Sequence, residues 1–210
     1  MTKTLLLWRH GQTDYNLHYK VQGQVDIPLN ETGRQQAHSA AELLIKLPIS
    51  RIVSSPLGRA METAKCVADR LGLEIALDER LKERDFGLWE GLTAEEIQAG
   101  WPHDFTSWRD WGDPNFDTTQ VEPRKDTGVR VAAALRCQAE AMNEGETALV
   151  VTHGSASVQG IVELLALDPS NWYGLHGLDN CHWACVETSR RAPGWALRAY
   201  NLGAADTRLI

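Results

Sequence analysis

Leu5-Leu6-Leu7-Trp8-Arg9-His10-Gly11 is a run of apolar residues that breaks off into a cationic, glycine-bearing step. A short apolar run ended this abruptly reads as a buried strand that delivers a polar turn. The pattern recurs twice. Ile52-Val53 leads into Ser54-Ser55-Pro56 with Arg59 beyond it, and Thr147-Ala148-Leu149-Val150-Val151-Thr152 leads into His153-Gly154. The last of these is expected to be a central strand. Helical patterns lie between and around them. Asn30 or Thr32 can cap a helix through Ala37, Ala40, Ala41, Leu44 and Leu47 that Pro48 stops. Ala60, Ala64, Val67, Ala68 and Leu71 form a second helical face, with Gly72 as its C-terminal stop. Residues 73–77 read as a third strand, 126–143 and 158–167 as helices, and 183–187 and 195–200 as final strands. Such alternation predicts a three-layer αβα sandwich: a mostly parallel sheet with an antiparallel edge strand and an inserted lid or cap.

The insertion is placed at residues 93–125 of a single domain spanning 1–210. It holds Trp101, Phe105, Trp108, Trp111 and Phe116 with little periodicity. These aromatics are expected to form a small apolar cap packed on the sheet. The competing reading has the tryptophans stacking on a sugar or closing over the site.

Bulk properties narrow the function. At 210 residues, 43% hydrophobic and 23% charged, the chain can bury a sizeable core. A net charge of −7 argues against nucleic acid as a partner, because that affinity rests on broad phosphate neutralisation. An anionic ligand would need a local cationic cluster. Cys181-His182-x-x-Cys185 is the one hint of metal spacing, but it lacks a second ligand pair. The four cysteines read as ordinary thiols, with no metal and no cofactor expected. The N-terminal apolar run is too short for a signal peptide, and no stretch approaches the roughly 20 apolar residues of a membrane span. These features imply a cytoplasmic protein with no membrane partner; a homodimer is compatible with them.

In an open α/β sheet the carboxyl ends of the parallel strands line one crevice, where ligands bind. The alternation therefore predicts that Arg9, His10, Arg59 and His153 converge. Together they would form the cationic cluster that the acidic chain otherwise lacks. Arginine suits such a place, because its planar fork pairs two phosphate oxygens and stays charged.

At this point the chain resembles the histidine phosphatase superfamily, also called phosphoglycerate mutase-like. The resemblance is carried by Leu7-Trp8-Arg9-His10-Gly11-Gln12-Thr13, by Gln22-Gly23 with Asp26-x-Pro28-Leu29, and by Ser54-Ser55-Pro56-Leu57-x-Arg59-Ala60-x-Glu62-Thr63-Ala64. Leu81-x-Glu83, Phe86-Gly87-x-Trp89-Glu90-Gly91 and Val151-Thr152-His153-Gly154 complete the series in the family's order. The resemblance implies that His10 attacks phosphorus to form a phosphohistidine while Arg9, Arg59 and His153 hold the phosphoryl oxygens. It implies that Glu83 protonates the leaving oxygen and then activates water. Asn16, Gln22 and Gly23 match substrate-binding positions.

The chemistry is consistent with these roles. Phosphoryl transfer is mostly positioning and charge stabilisation, which an Arg/Arg/His cradle supplies without a metal ion. The nucleophilic imidazole must be neutral, with its other ring N–H held, and a loop carbonyl is the expected holder. Glu83 must be protonated when the leaving group departs, and an incoming phosphate dianion favours that form. Two positions depart from the pattern. Lys20 stands where many relatives have arginine. Val121-Glu122-Pro123 replaces a Gly-Glu-Ser segment, with Arg130 in the expected later place. Glu122 is carried as a candidate substrate-binding residue, its alternative being a surface charge after a turn.

Gln22-Gly23-Gln24 stands where mutases typically show Thr-Gly-Trp or Cys-Gly-Trp, and Trp89-Glu90-Gly91 resembles the phosphatase branch. Hydrolysis of a small phosphorylated metabolite, phosphoglycerate- or sugar-phosphate-like, is therefore expected over mutase activity. Within the branch, Gln12-Thr13-Asp14-Tyr15-Asn16, Asn171-Trp172 and Asn180-x-x-Trp183 are similar to glucosyl-3-phosphoglycerate phosphatases and broad-specificity relatives. A non-catalytic phospholigand-binding protein is the remaining alternative, disfavoured by retention of the whole His/Arg/Glu set.

Overall fold

A strand covered on both faces and paired on both edges has no position that meets water. The computed structural model, which describes residues 2–204, places β4 (Thr147–Thr152) in that situation, buried at every position. The other strands are β1 (Thr4–Arg9), β2 (Ile49–Ser54), β3 (Ile75–Leu77), β5 (Trp183–Thr188) and β6 (Trp195–Leu202). They join in the order β3-β2-β4-β1-β5-β6. The first four in that order run parallel, and β5 is antiparallel to both of its neighbours. The antiparallel edge is thus a pair, with the reversed strand one place in from the rim.

The helices are α1 (Asp14–Leu17), α2 (Glu31–Leu44), α3 (Gly58–Leu71), α4 (Ala94–Gly100), α5 (Pro102–Trp111), α6 (Phe116–Thr119), α7 (Arg124–Glu140) and α8 (Gly154–Leu164). Strand alternation sorts them into layers. Leu6, Trp8, Leu149 and Val151 point to one face, where α2 and α3 contribute Ala37, Ala41, Leu44, Ala60, Ala64 and Val67. Leu5, Leu7, Ala148 and Val150 point to the other, against α7 and α8 through Val131, Leu135, Ala156 and Ile161. The alanine-rich helical faces let these helices sit close to the sheet. Asn30 caps α2 by accepting from the Gly33 N–H at 2.9 Å, an interaction that contributes about 1 kcal/mol. Gly72 closes α3 in the left-handed conformation at φ +66°.

Three sequence expectations change in detail. The helix expected at 158–167 starts earlier, with His153 as its N-cap. Its first turn, Gly154-Ser155-Ala156-Ser157, is too small and polar to show apolar periodicity. The insertion is largely helical, containing α4, α5 and α6. Its aromatics do not pack on the sheet. Phe105 and Ile97 form a separate cluster with Trp89 and Val121, and Trp101 and Trp108 lie against it. Trp108 meets Trp89 edge-on, with ring centroids 5.9 Å apart. Trp111 stays outside the cluster at 70% exposure. Among the described residues no helix is long and apolar enough to cross a membrane.

Candidate active site

From β1 the chain crosses to β2 on the far side of β4, and from β4 it crosses to β5 on the far side of β1. The two connections leave in opposite directions over opposite faces of the sheet, which opens a crevice at the carboxyl ends of β4 and β1. The β1–β4 register pairs Arg9 with Thr152, so His10 and His153 emerge side by side. Their ring centroids are 5.1 Å apart, tilted by 60°. Both rings are buried. Gly11 makes room for this turn: a Cβ there would lie 2.4 Å from the Gly33 carbonyl oxygen at the start of α2.

His10 Nδ1 lies 2.7 Å from the Gly11 carbonyl oxygen. A carbonyl only accepts, so Nδ1 carries the proton and Nε2 keeps a free lone pair. Burial, followed by the charges of Arg59 and Arg9, pushes the His10 pKa well below the ordinary histidine range, and the ring is neutral. Those are the two requirements for a nucleophilic imidazole.

Arg59 enters from the first turn of α3. No side chain of the helix's own N-terminus caps it; instead both carboxylate oxygens of Asp26 accept from the Gly58 N–H, at 2.9 and 3.0 Å. The guanidinium is fully buried and donates to the Gly23 carbonyl at 2.6 Å, the Val25 carbonyl at 2.8 Å and His153 Nδ1 at 3.3 Å. Burial lowers its pKa to about 10, which leaves it charged at neutral pH. The loop it grips is held from its other side by Glu90, which accepts from the N–H groups of Gln24 at 2.7 Å and Val25 at 2.9 Å. Gly23 has φ +52°, and a Cβ there would overlap the Glu90 carboxylate at 1.8 Å. A side chain here would be strained and would push the Glu90 carboxylate off the loop it holds.

Because Arg59 donates to His153 Nδ1, the His153 proton sits on Nε2, 2.8 Å from Ser55 Oγ. Both of its ring nitrogens are thus engaged by protein groups, and burial and the Arg59 charge hold its pKa well below the usual range. Arg9 donates through Nη1 to the Leu178 carbonyl at 2.6 Å. Its Nε, and Nε2 of Gln22, are buried with no hydrogen-bond partner. Gln22 is oriented by Thr13 Oγ1, which donates to its carbonyl oxygen at 2.8 Å. Arg9 and Gln22 both line a cavity of about 150 Å³ together with His10, Asn16, Gly23 and Arg59. Unpartnered buried donors are costly and ask for an acceptor. A phosphate placed among them would supply it.

Glu83 stands across the cavity. Its carboxylate accepts from the N–H groups of Arg84 at 2.8 Å, Ser155 at 3.1 Å and Ala156 at 2.8 Å, the last two at the start of α8. Asn16 Oδ1 accepts from Asn180 at 3.1 Å, which ties α1 to the loop before β5. Glu122 is elsewhere. It is not among the residues lining the cavity, nor is it a free surface charge: its carboxylate pairs with Arg130 at 2.6 Å. Sequence reasoning assigned no role to Ser55, Asp26 or Glu90, although each falls inside a stretch it singled out. Cys181 and Cys185 are buried thiols in the core, their pKa values pushed up by burial.

Arg9, Glu83, Phe86 and Trp108 also border a second chamber of about 500 Å³, continued by Arg109, Arg124, Gln159 and Tyr173. Arg124 stacks on Tyr173 with its guanidinium 4.2 Å from the ring centroid. The phosphate-sized cavity thus adjoins a larger space with aromatic and cationic walls.

The buried neutral histidines set a pH dependence. Below about pH 6.5 an unfolded chain protonates both imidazoles whereas the fold does not. The unfolded state then binds more protons, so stability is fully present above that pH and is lost as pH falls below it. Thermal melts between pH 5 and 8 should show Tm falling on the acid side. The slope below pH 6.5 should shrink in a His10→Gln, His153→Gln double variant, and an unchanged slope would refute the assignment.

A family model described as the histidine phosphatase superfamily (branch 1) matches residues 5–202. A glucosyl-3-phosphoglycerate phosphatase of Mycobacterium tuberculosis is 36% identical over 216 residues, covering 96% of each chain. A probable phosphoglycerate mutase, GpmB, of Yersinia enterocolitica is 34% identical over 203 residues, covering 93% of this chain and 91% of its own. Among solved structures, a phosphoserine phosphatase of Entamoeba histolytica in complex with 3-phosphoglyceric acid superposes with a TM-score of 0.81. It shares 32% identity and covers 95% of this chain and 97% of its own.

Proposed function

The chain belongs to the histidine phosphatase superfamily, branch 1, and on that premise we propose that it hydrolyses a small phosphomonoester by way of a phosphoryl group carried on His10 Nε2. The observation that carries the reading is the His10 ring: neutral, its Nδ1 proton held by Gly11, its Nε2 free beside Arg9 and the buried Arg59.

The phosphoryl oxygens take the Arg9 and Gln22 donors that lack protein partners. Arg59 supplies its charge and its remaining N–H groups. An oxygen beside His153 competes with Ser55 Oγ for the Nε2 proton. The Nε2 lone pair then forms the P–N bond as the P–O ester bond breaks. The departing oxygen receives both electrons of that bond and a proton from Glu83. In the second step the Glu83 carboxylate takes a proton from water, the water oxygen bonds to phosphorus, and the P–N electrons return to Nε2. The sum is ester plus water to alcohol plus phosphate.

The body of the substrate lies in the outer chamber. Its size, with Phe86, Trp108 and Tyr173 as walls and Arg109 and Arg124 as cations, suits an anionic metabolite larger than glycerate alone. A glycosylated phosphoglycerate, of the kind that names the M. tuberculosis relative, meets that description. The thiols of Cys66, Cys137, Cys181 and Cys185 are all free, which suits a cytoplasmic setting.

A panel of 3-phosphoglycerate, phosphoserine and glucosyl-3-phosphoglycerate tests this, scored for released phosphate and for 3- to 2-phosphoglycerate conversion. Phosphate release should persist in EDTA and be most efficient with the glucosylated ester. Isomerisation with little release would favour the activity that names the Yersinia relative, and loss of turnover in EDTA would overturn the metal-free route.

A further inference from the structure

The turn that carries Glu83 has an unusual electrostatic problem. The carbonyls of Arg80, Lys82 and Glu83 all converge on one point behind the cavity, and three carbonyl dipoles aimed together repel unless a cation sits at their focus. Arg130, on α7, is that cation. It donates through Nη1 to the Arg80 carbonyl at 2.8 Å and the Lys82 carbonyl at 2.7 Å, and through Nη2 to the Glu83 carbonyl at 2.8 Å. The intervening Leu81 carbonyl accepts from Thr152 Oγ1 at 2.8 Å, so every carbonyl from 80 to 83 is fixed.

Arg130 is in turn aimed by Glu122, whose two oxygens accept from its Nε at 2.6 Å and its Nη2 at 2.8 Å. Glu122 also accepts from the Asp85 N–H at 3.1 Å, and its own carbonyl accepts from Arg84 Nε at 2.6 Å. The residues immediately before and after Glu83 are therefore tied to the same pair. Burial alone would raise the Glu122 pKa, but hydrogen bonds from Arg130 and its charge outweigh that and hold it below its ordinary value, so the carboxylate is ionised at working pH.

We propose that the Glu122–Arg130 pair is a positioning device for proton transfer: it fixes the backbone of residues 80–85 so that the Glu83 carboxyl meets the leaving oxygen. The inference rests on the reading of Glu83 as the proton donor. It gives Glu122 a function that does not require it to touch substrate. Only the guanidinium fork can serve three carbonyls and a carboxylate in one plane, so lysine at 130 retains charge but loses the alignment.

The leaving group separates positioning from folding. An alkyl phosphate such as 3-phosphoglycerate needs its departing oxygen protonated, whereas p-nitrophenyl phosphate releases a stable phenolate and needs little help. Arg130→Lys should lower kcat/KM for 3-phosphoglycerate, which reports only the steps through phosphohistidine formation, about 10- to 100-fold, while kcat/KM for p-nitrophenyl phosphate changes less than about 3-fold. Water activation is common to both esters and enters only kcat. In a Glu83→Gln background the same substitution should add less than about 2-fold, because the group it positions is already disabled. Glu122→Gln should reproduce the pattern in weaker form, and it carries the test if Arg130→Lys does not fold. Equal losses of kcat/KM on both esters, or losses that multiply with Glu83→Gln, would overturn the inference. If Glu83→Gln itself lowers kcat/KM for both esters equally, the role of Glu83 as proton donor falls first, and that outcome is distinct from failure of Arg130 alone.

Discussion

His10→Ala should lose at least about 10⁴-fold in kcat and should form no phosphoprotein, the usual consequence of deleting a covalent nucleophile. No neighbour can replace it. His153 is 5.1 Å away ring to ring, but one of its nitrogens accepts from Arg59 and the other is committed to Ser55. Ser55 Oγ accepts from the Leu57 N–H at 3.4 Å as well, and no base faces it to take its proton. What remains is the cradle itself, which would still bind phosphate and offer some electrostatic stabilisation to direct attack by water. The variant should therefore retain affinity for inorganic phosphate while losing turnover. Its stability should fall only modestly, since it leaves the Gly11 carbonyl without its partner, a loss of about 1–3 kcal/mol. Wild-type protein quenched during turnover should carry acid-labile, base-stable phosphate that is absent from His10→Ala. Residual turnover within 10-fold of wild type, or a phosphoprotein that survives the substitution, would show that phosphorus is attacked by another group.

How far this site was legible from sequence depended on how each residue reaches it. Arg9 ends a strand, His10 and His153 follow directly on strands, and an apolar run that stops at a polar step marks the end of a parallel strand. Arg59 follows from the same logic one helical turn later. Glu83 sits on a turn with no periodicity, and only the family resemblance singled it out. Asp26, Glu90, Glu122 and Arg130 act across 32, 66, 37 and 47 or more residues, each through backbone groups of another segment. Contacts of that kind leave no spacing to read, because a carboxylate that accepts backbone N–H groups looks like any surface charge in one dimension. The same reason explains the insertion. Its helices are short and their aromatics face Trp89 and Val121 rather than a shared sheet face, so no apolar stripe of regular period develops.

Arg59→Lys should lower kcat/KM by about 10²- to 10³-fold, even though the formal charge is kept. The guanidinium at this position bridges three acceptors that no single ammonium can reach together: two carbonyls of the 23–25 loop and Nδ1 of His153. Losing the loop contacts frees Gly23 and the neighbouring Gln22 donor from their places on the cavity wall. Losing the contact to Nδ1 lets His153 change tautomer, because that bond is what assigns its proton to Nε2. Arg59→Met removes the charge as well, and its effect should exceed that of lysine. It should also move a titration. After burial, Arg59 is the largest influence depressing both His10 and His153, so without it their pKa values rise toward the usual histidine range. The acid limb of kcat/KM should shift to higher pH in Arg59→Met and stay near its original place in Arg59→Lys. NMR titration of the two imidazoles would follow the same groups directly. Added guanidinium should recover part of the activity of Arg59→Ala, which leaves a cavity of the right shape beside His153. If the lysine variant falls less than 10-fold, or the methionine variant leaves the acid limb in place, Arg59 is a packing residue and its charge does not act on the nucleophile.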